Sequence, residues 1–439
     1  MSRALAALRS RGLLAGLTHE HATSVLDAAV AKHQANPSSV KAVGVYCGFD
    51  PTASSLHVGN LVTVMALRHF QLAGVKPILL VGGATGMIGD PSMRSDERVM
   101  LTADAVAANA RHLVDSLKNV LDFDCPKVGA EVANNMTWHG HMSVIDWMRE
   151  CGAFARVNAM LARDSVKRRL DAESGLSFLE FSYQLFQAFD FVHLRRHHNV
   201  LVQVGGSDQW GNIVSGCDLV RKTDGHEVYG VTVPLLTTAN GDKFGKSAGN
   251  AVWLDAAKTS VYDFYQFFIR TDDADVGTLL KTFTLLDMDE IDTIVATHSA
   301  APEKRHAQQI LAEHTTRMIH GEVALKAAQV AAKVLFGGSL DGVDAVDILA
   351  IDAPRSSLAL ELVRGKRVVD VLALIRAVPT KAEGRRLIKA GGVYINNVRV
   401  DSDAAVIEAS QVIEGRAVLV RVGKRNYHVL HISDAVYCS

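Results

Sequence analysis

Two polar stations stand far apart in the chain, His57-Val-Gly-Asn60 and Lys243-Phe-Gly-Lys-Ser247. The first falls where an apolar helical pattern begins. Unpaired backbone N–H groups and the helix dipole favour a phosphate at such a start. His57 can donate to phosphate oxygens, and Gly59 lets an adenine approach the backbone closely. The second station offers two ammonium groups and a hydroxyl on a loop, a set suited to charge stabilisation that matures only in a transition state. It is not a P-loop. The glycine that motif requires would fall at 240, where the chain has Asn, Gly241 is one residue late, and 248–251 opens no helix. The two stations make joint sense if the fold brings them to opposite sides of one nucleotide.

Other polar residues ask for partners. Tyr183, Gln187 and Asp190 are spaced i, i+4, i+7 on an expected helix over 178–195 and therefore share one face. Among Phe181, Leu185, Phe186 and Phe189, three polar groups are costly to bury unless something pairs with them. An interhelical contact is the alternative use. Gly82-Gly-Ala-Thr-Gly-Met-Ile-Gly-Asp90 follows an apolar run but lacks the G-x-G-x-x-G spacing and the acid at ribose distance of a dinucleotide site. Arg94 and Arg98 follow, cations that could meet a pyrophosphate or stay solvated. Gly205-Gly-Ser-Asp-Gln-Trp210 reads as a strand-to-helix turn.

The elements that must position these groups follow from periodicity. A buried strand is expected over 43–47, a helix over 58–72 stopped by Gly74, and a strand over 77–83. Further strands are expected over 200–204 and 231–236. This strand–helix–strand succession indicates a Rossmann-like, doubly wound α/β sheet whose crevice lies at the carboxyl ends of its strands. A helical stretch over 271–350, a linker over 351–365 and a small α+β module over 366–439 follow, behind a first domain over 1–270. The small module should hold helices near 368–377 and 381–390 and a hairpin over 391–400.

Composition is that of a soluble chain, with no run of 18 apolar residues. The five cysteines show no metal-ligand spacing, which points to a reduced compartment without structural zinc. Net charge is only −1, but residues 366–430 hold twelve Lys/Arg against six Asp/Glu. A basic module on an acidic body is the footprint of RNA contact. Near the N-terminus, Arg3, Arg9 and Arg11 precede any acid; a mature first helix is expected there rather than a transit peptide.

Preceded by Tyr46-Cys-Gly-Phe-Asp-Pro-Thr52, the two stations are similar to the HIGH and KMSKS signatures of class I aminoacyl-tRNA synthetases, and their flanks resemble the tyrosyl branch. The resemblance covers essentially the whole chain, with the motifs in order. It implies ATP-dependent activation of L-tyrosine and transfer to tRNA(Tyr). For tyrosine, it implies that Tyr46 and Asp190 read the phenol hydroxyl, that Tyr183, Gln187 and Asp90 meet the amino group, and that Gln203 lies near the carboxylate. For ATP, it implies Cys47, Gly48, Asp50, His57, Gly59, Gly206, Asp208, Gln209 and Lys246. Catalysis would be positioning and charge stabilisation by His57, Asn60, Thr63, Lys243, Lys246 and Ser247, with no protein nucleophile. Magnesium would arrive with the ATP, and no protein-bound metal or organic cofactor is implied.

Thr380–Ile388 followed by Gly391-Gly-Val-Tyr-Ile-Asn396 is similar to an S4-type RNA-binding module. There Lys381, Arg385, Arg386, Arg421, Lys424 and Arg425 would grip tRNA phosphates. The resemblance further implies a cytoplasmic homodimer with tRNA across both subunits, the mitochondrial matrix being the other compartment. Two positions depart from the family pattern. Asn60 stands where His is usual, keeping a hydrogen-bond donor that cannot become cationic, and Ala382 replaces a basic residue or Ser. A tryptophanyl enzyme would usually lack the S4 module and has no need of the Tyr46/Asp190 pair. An RNA-binding protein derived from a synthetase could lose the site, and the missing dinucleotide fingerprint argues against an oxidoreductase.

Overall fold

The two apolar runs expected as parallel strands form β2 (Gly44–Phe49) and β3 (Lys76–Val81), paired in parallel with Tyr46 beside Ile78. The computed structural model describes residues 3–92, 101–170, 175–239, 241, 244–247, 250–335, 337–338, 340–351, 353–423 and 426–433. With β1 (Gly16–Leu17), β4 (Glu131–Asn134), β5 (Val200–Gly206) and β6 (Tyr229–Val233), they make a six-stranded sheet in the order β1-β6-β5-β2-β3-β4. All its pairings are parallel except β1 with β6, so the sheet is mixed rather than purely parallel. From β2 the chain steps outward to β3 and β4, then returns to β5 on the other side. Strand order thus reverses between β2 and β5, and a crevice opens at their carboxyl ends.

The chain separates into two compact units, one of Met1–Thr259 with Phe267–Ile319, the other of Ser260–Gln266 with His320–Ser439. In the first, helix Val58–Leu72 buries Leu61, Val64, Met65 and Phe70 and ends at Ala73, ahead of Gly74 at φ 91°. Helix Phe178–His198 is longer than expected. Ser177 caps its start by accepting from the Glu180 amide, and Asn199 in the left-handed region closes it. The first helix, Arg3–Ser10, buries Ala4, Leu5 and Leu8. Arg11 beyond it donates to the carbonyls of Lys281, Thr284 and Leu286, satisfying the end of helix Asp273–Phe283.

Two expected boundaries differ from what is found. The helical stretch over 271–350 does not stand alone, because residues up to Ile319 group with the first unit and those from His320 with the second. The long helix His306–Leu335 is interrupted at Gly321, with φ 83° and ψ 172°. Nor is 351–365 a linker: Arg355–Ala359 is a strand paired in parallel with Asn426–Ser433. Pro354 and the paired serines carry turn chemistry, which masks the strand in the sequence.

The second unit is built on the sheet β11-β10-β12-β13-β9, where β9 is Arg355–Ala359, β10 Val393–Ile395, β11 Val398–Arg399, β12 Ala417–Val422 and β13 Asn426–Ser433. The labels β7 and β8 belong to a two-stranded ladder in the first unit, Lys246–Ser247 with Asn250–Ala251. Alternation along β12 serves two cores. Val418 and Val420 face Val368, Leu372 and Ile388, whereas Ala417 and Leu419 face Ala331, Val334 and Ile348. The β10–β11 turn is Asn396-Asn397, both with positive φ, as a two-residue hairpin turn demands.

Candidate active site

β2 and β5 set the inner pocket. Their register places Tyr46 directly beside Gln203. The pocket, about 50 Å³, is lined by Tyr46, Asp50, Tyr183, Gln187, Asp190 and Gln203 among others, and a wider cleft of about 780 Å³ is lined by the 47–63 segment, Asp90 and the 205–209 turn. Tyr46 is fully buried, its ring edge-on to Phe191 at 5.2 Å. Among the described residues its hydroxyl has no hydrogen-bond partner, and neither do the side-chain oxygens of Gln187 and Gln203. Burial, reinforced by the charge of Asp190, holds the Tyr46 phenol well above its ordinary pKa, so it stays a donor.

Around this pocket runs a connected polar network. Tyr183 donates to Asp50 at 2.8 Å, Thr85 donates to the other Asp50 oxygen at 2.7 Å, and Asn135 donates to Thr85 at 2.9 Å. The Asn135 amide also donates to Asp190 Oδ2 at 3.1 Å. Trp138 Nε1 and His139 Nε2 both lie 2.8 Å from Asp190 Oδ1. Asp190 is thus a buried carboxylate held by three neighbours from the segment just after β4. At the mouth, Gln209 bridges Asp90 at 2.9 Å and Asp208 at 2.8 Å, while Asp90 also accepts from the Ser92 amide. Gly206 leaves room for the Asp208 carboxylate, which a Cβ there would strike.

The first phosphate station is a reciprocal cap. His57 is the N-cap of helix Val58–Leu72; its Nδ1 accepts from the Asn60 amide at 3.3 Å, and Asn60 Oδ1 accepts from the His57 amide at 3.2 Å. Because Nδ1 accepts, the neutral ring carries its proton on Nε2. Asn60 at the fourth position is therefore engaged through its oxygen, which leaves its amide N–H groups as donors. Thr63 donates back to the Asn60 carbonyl at 2.8 Å. Near it, burial pushes the Cys47 thiol up to about 12, with a Thr63 hydrogen bond opposing that rise.

Backbone pairing brings the second station to the first. The Val58 amide donates to Val252, the Val252 amide to Gly245, and the Leu254 amide to Leu56. His57 and Trp253 form an antiparallel bridge, with ring centroids 6.0 Å apart. Gly245, at φ 90°, sits so close that a Cβ there would lie 3.1 Å from the Gly59 amide nitrogen. Phe244 anchors this stretch against Phe267, Phe268 and Phe283. The expected convergence is therefore present in the backbone at Gly59 and Gly245. Lys243, with Arg94 and Arg98, lies outside the described residues, and Lys246 and Ser247 are described by their backbone in β7.

In the second unit the basic residues take varied positions. Lys381 pairs with Asp370 at 2.9 Å and Arg386 with Glu383 at 2.6 Å, whereas Arg385 is exposed with no acidic partner among the described residues. Arg421 is not at a free tip as expected. It lies within β12 between Tyr394 and Tyr427, its guanidinium carbon 3.7 Å from the Tyr394 ring centroid. Lys424 and Arg425 lie outside the described residues.

Residues that sequence reasoning missed are Thr85, Asn135, Trp138, His139 and Trp253. Asn135, Trp138 and His139 follow a short strand, β4, and have no periodic pattern of their own. The only signal was a run of hydrogen-bonding side chains at the carboxyl end of a sheet strand.

Residues 39–337 match the family model of the class I tRNA synthetases (W and Y), and 350–430 match the tyrosine–tRNA ligase SYY-like C-terminal domain. A tyrosine–tRNA ligase of Roseiflexus castenholzii is 44% identical over 89% of this chain and 93% of its own length. One from Protochlamydia amoebophila is 41% identical over 99% of this chain and 100% of its own. Among solved structures, a C-terminally truncated mitochondrial tyrosyl-tRNA synthetase of Aspergillus nidulans is similar with a TM-score of 0.67 and 32% identity, covering 76% of this chain and 95% of that one.

Proposed function

The chain belongs to the class I tRNA synthetases of the W and Y family, and from that premise we propose that it is a tyrosine–tRNA ligase working as follows. It activates L-tyrosine with ATP and transfers it to the 3′ end of tRNA(Tyr). The observation that carries the substrate is the set of orphaned buried atoms, Tyr46 Oη, Gln187 Oε1 and Gln203 Oε1, around a pocket that ends at Asp190. Buried polar atoms left unpaired cost about 1–3 kcal/mol each, and a bound tyrosine relieves Tyr46 Oη through its phenol and Gln187 Oε1 through its ammonium. The phenol hydroxyl accepts from Tyr46 and donates to Asp190. The ammonium meets Gln187, Asp90 and Tyr183, and the amide of Gln203 lies beside the carboxylate. Phenylalanine would leave Tyr46 and Asp190 without that partner.

The tyrosine carboxylate attacks the α-phosphorus in line, forming a P–O bond as the bond to pyrophosphate breaks. The chain supplies position and charge: His57, Asn60, Thr63 and the amides of the helix start on one side, Lys243, Lys246 and Ser247 on the other. Cys47, Gly48, Asp50, Gly206, Asp208 and Gln209 line the nucleotide cleft. A thiol held at about 12 is not a thiolate nucleophile at neutral pH, which fits a reaction without a covalent protein intermediate. Magnesium is proposed to be carried in on the ATP phosphates.

Helices Asp273–Phe283 to Ala345–Leu349 are proposed to read the anticodon, and the basic residues from Lys381 to Arg425 to grip tRNA phosphates. Val144, Ile145, Met148, Val157 and Phe178 are each at least half exposed, an apolar surface that a second copy of the chain would cover in a homodimer. The cytoplasm is the proposed compartment, in keeping with the four cysteines among the described residues, which are free; no helix among those residues is long and apolar enough to cross a membrane. Pyrophosphate exchange with tyrosine, tryptophan and phenylalanine in parallel tests this reading. Exchange dependent on tyrosine is expected. Faster exchange with tryptophan overturns the substrate, and none at all favours a purely RNA-binding role.

A further inference from the structure

We propose that His139 is a positioning residue for tyrosine selection, leaving Asp190 a single acceptor position for the substrate's phenol; this rests on the assignment of Asp190 to that hydroxyl. An ionised carboxylate offers about four lone-pair positions. Asn135 occupies one on Oδ2, at 3.1 Å. Trp138 and His139 occupy both on Oδ1, each at 2.8 Å. One position on Oδ2 remains for an incoming O–H, and with Oδ1 held from two directions the carboxylate plane does not swing.

The His139 ring is built into this place. Its side chain is 3% exposed, with ring centroids 5.0 Å from Phe186 and 5.7 Å from Phe189. Its other nitrogen, Nδ1, has no hydrogen-bond partner among the described residues. A carboxylate only accepts, so Nε2 must carry a proton, and on the neutral ring Nδ1 is then a buried acceptor left unpaired. Such a cost is retained where the other nitrogen has a task. The nitrogen that has one is Nε2, pointed at the carboxylate that reads the substrate. Trp138 holds the same oxygen but is fixed by its indole geometry to a single direction, so the second direction depends on His139.

The test is pyrophosphate exchange by the full-length protein with tyrosine and with phenylalanine, comparing wild type, His139→Phe and His139→Gln. Phenylalanine at 139 keeps a ring against Phe186 and Phe189 but removes the donor. It should raise KM for tyrosine and lower the tyrosine/phenylalanine ratio of kcat/KM about tenfold, with kcat at saturating tyrosine and KM for ATP unchanged. Glutamine, which offers an amide N–H, should restore most of the ratio. A ratio within twofold of wild type in His139→Phe overturns the proposal, as does an equal loss in both variants, which would assign the effect to ring shape. Should neither variant fold, nitrogen-resolved NMR of histidine-labelled wild type decides: a His139 ring protonated on Nδ1 and bare on Nε2 overturns the donor role. Wild type that fails to exchange with tyrosine unseats the substrate reading itself, whereas wild type that exchanges beside an unaltered His139→Phe unseats only His139.

Discussion

The inner pocket and the outer cleft of the first unit are built by opposite means. In the pocket the work falls to buried side chains: Tyr46, Asp190 and Gln203 are each no more than 3% exposed, and Asp50, Thr85, Asn135 and Asp190 form one hydrogen-bonded series. In the cleft it falls to backbone: the capped helix start at His57, the glycines at 59 and 245, and a ladder of main-chain bonds from Gly245 to Leu254. Binding and chemistry divide along this line. A network of satisfied side chains is stiff and discriminates one hydroxyl from none. Exposed amides at a helix start bind phosphate without reading what lies beyond it. Substrate choice and rate should therefore respond to different substitutions.

The sharpest way to break that division is at the second phosphate station. Lys246→Ala should slow tyrosine activation about a thousandfold, the scale of removing one transition-state donor, while tyrosine affinity stays near wild type. Single-turnover kinetics with equilibrium dialysis separate the two, and lost affinity at an intact rate would contradict the division. Asp190→Ala should do the reverse: about a hundredfold loss of kcat/KM for tyrosine, as expected for a charge-assisted hydrogen bond, with KM for ATP unchanged. Undiminished discrimination against phenylalanine refutes its role.

A third effect concerns the support beneath the cleft. His69, on the helix that His57 caps, is 5% exposed, and burial, with Arg11 and Arg68 nearby, lowers its pKa from 6.5 to about 4. The unfolded chain binds this proton first as pH falls. The ring thus contributes stability that is whole above 6.5 and is lost as pH drops towards 4, about 2 kcal/mol of it by pH 5. Denaturant midpoints at pH 7 and pH 5 should show this drop in wild type and a smaller one in His69→Gln; equal drops would assign it elsewhere. On the backbone side the expected change is least. Gly245→Ala puts a Cβ at φ 90°, 3.1 Å from the Gly59 amide nitrogen. It should cost about tenfold in activation rate, the scale of a non-glycine residue held at positive φ, with the tyrosine/phenylalanine ratio intact. A changed ratio would show that the two regions are coupled.

Much of this organisation was legible in the chain. Residues 58–72 carry apolar positions at helical spacing and a stop at Gly74, and the helix occupies that range because such local signals do not depend on the rest of the fold. Tyr183, Gln187 and Asp190 were readable as one polar face, since helix geometry alone aligns them. Strand β1 was not legible: Gly16–Leu17 is two residues long and exists only because β6 offers an open edge. Nor does 355–359 announce strand β9, whose identity comes from β13 beside it.

What the sequence determined by itself was the periodic elements, the order of the motifs and the kinds of groups able to meet an amino acid and a nucleotide. Folding alone set which groups answer one another: His139, Trp138 and Asn135 on Asp190, Gly245 on Gly59, and Arg421 between two tyrosines instead of at a tip. Periodicity is a property of neighbours in the chain. A hydrogen bond between residues fifty positions apart is a property of where β4 and helix Phe178–His198 come to lie, and no local pattern encodes that distance.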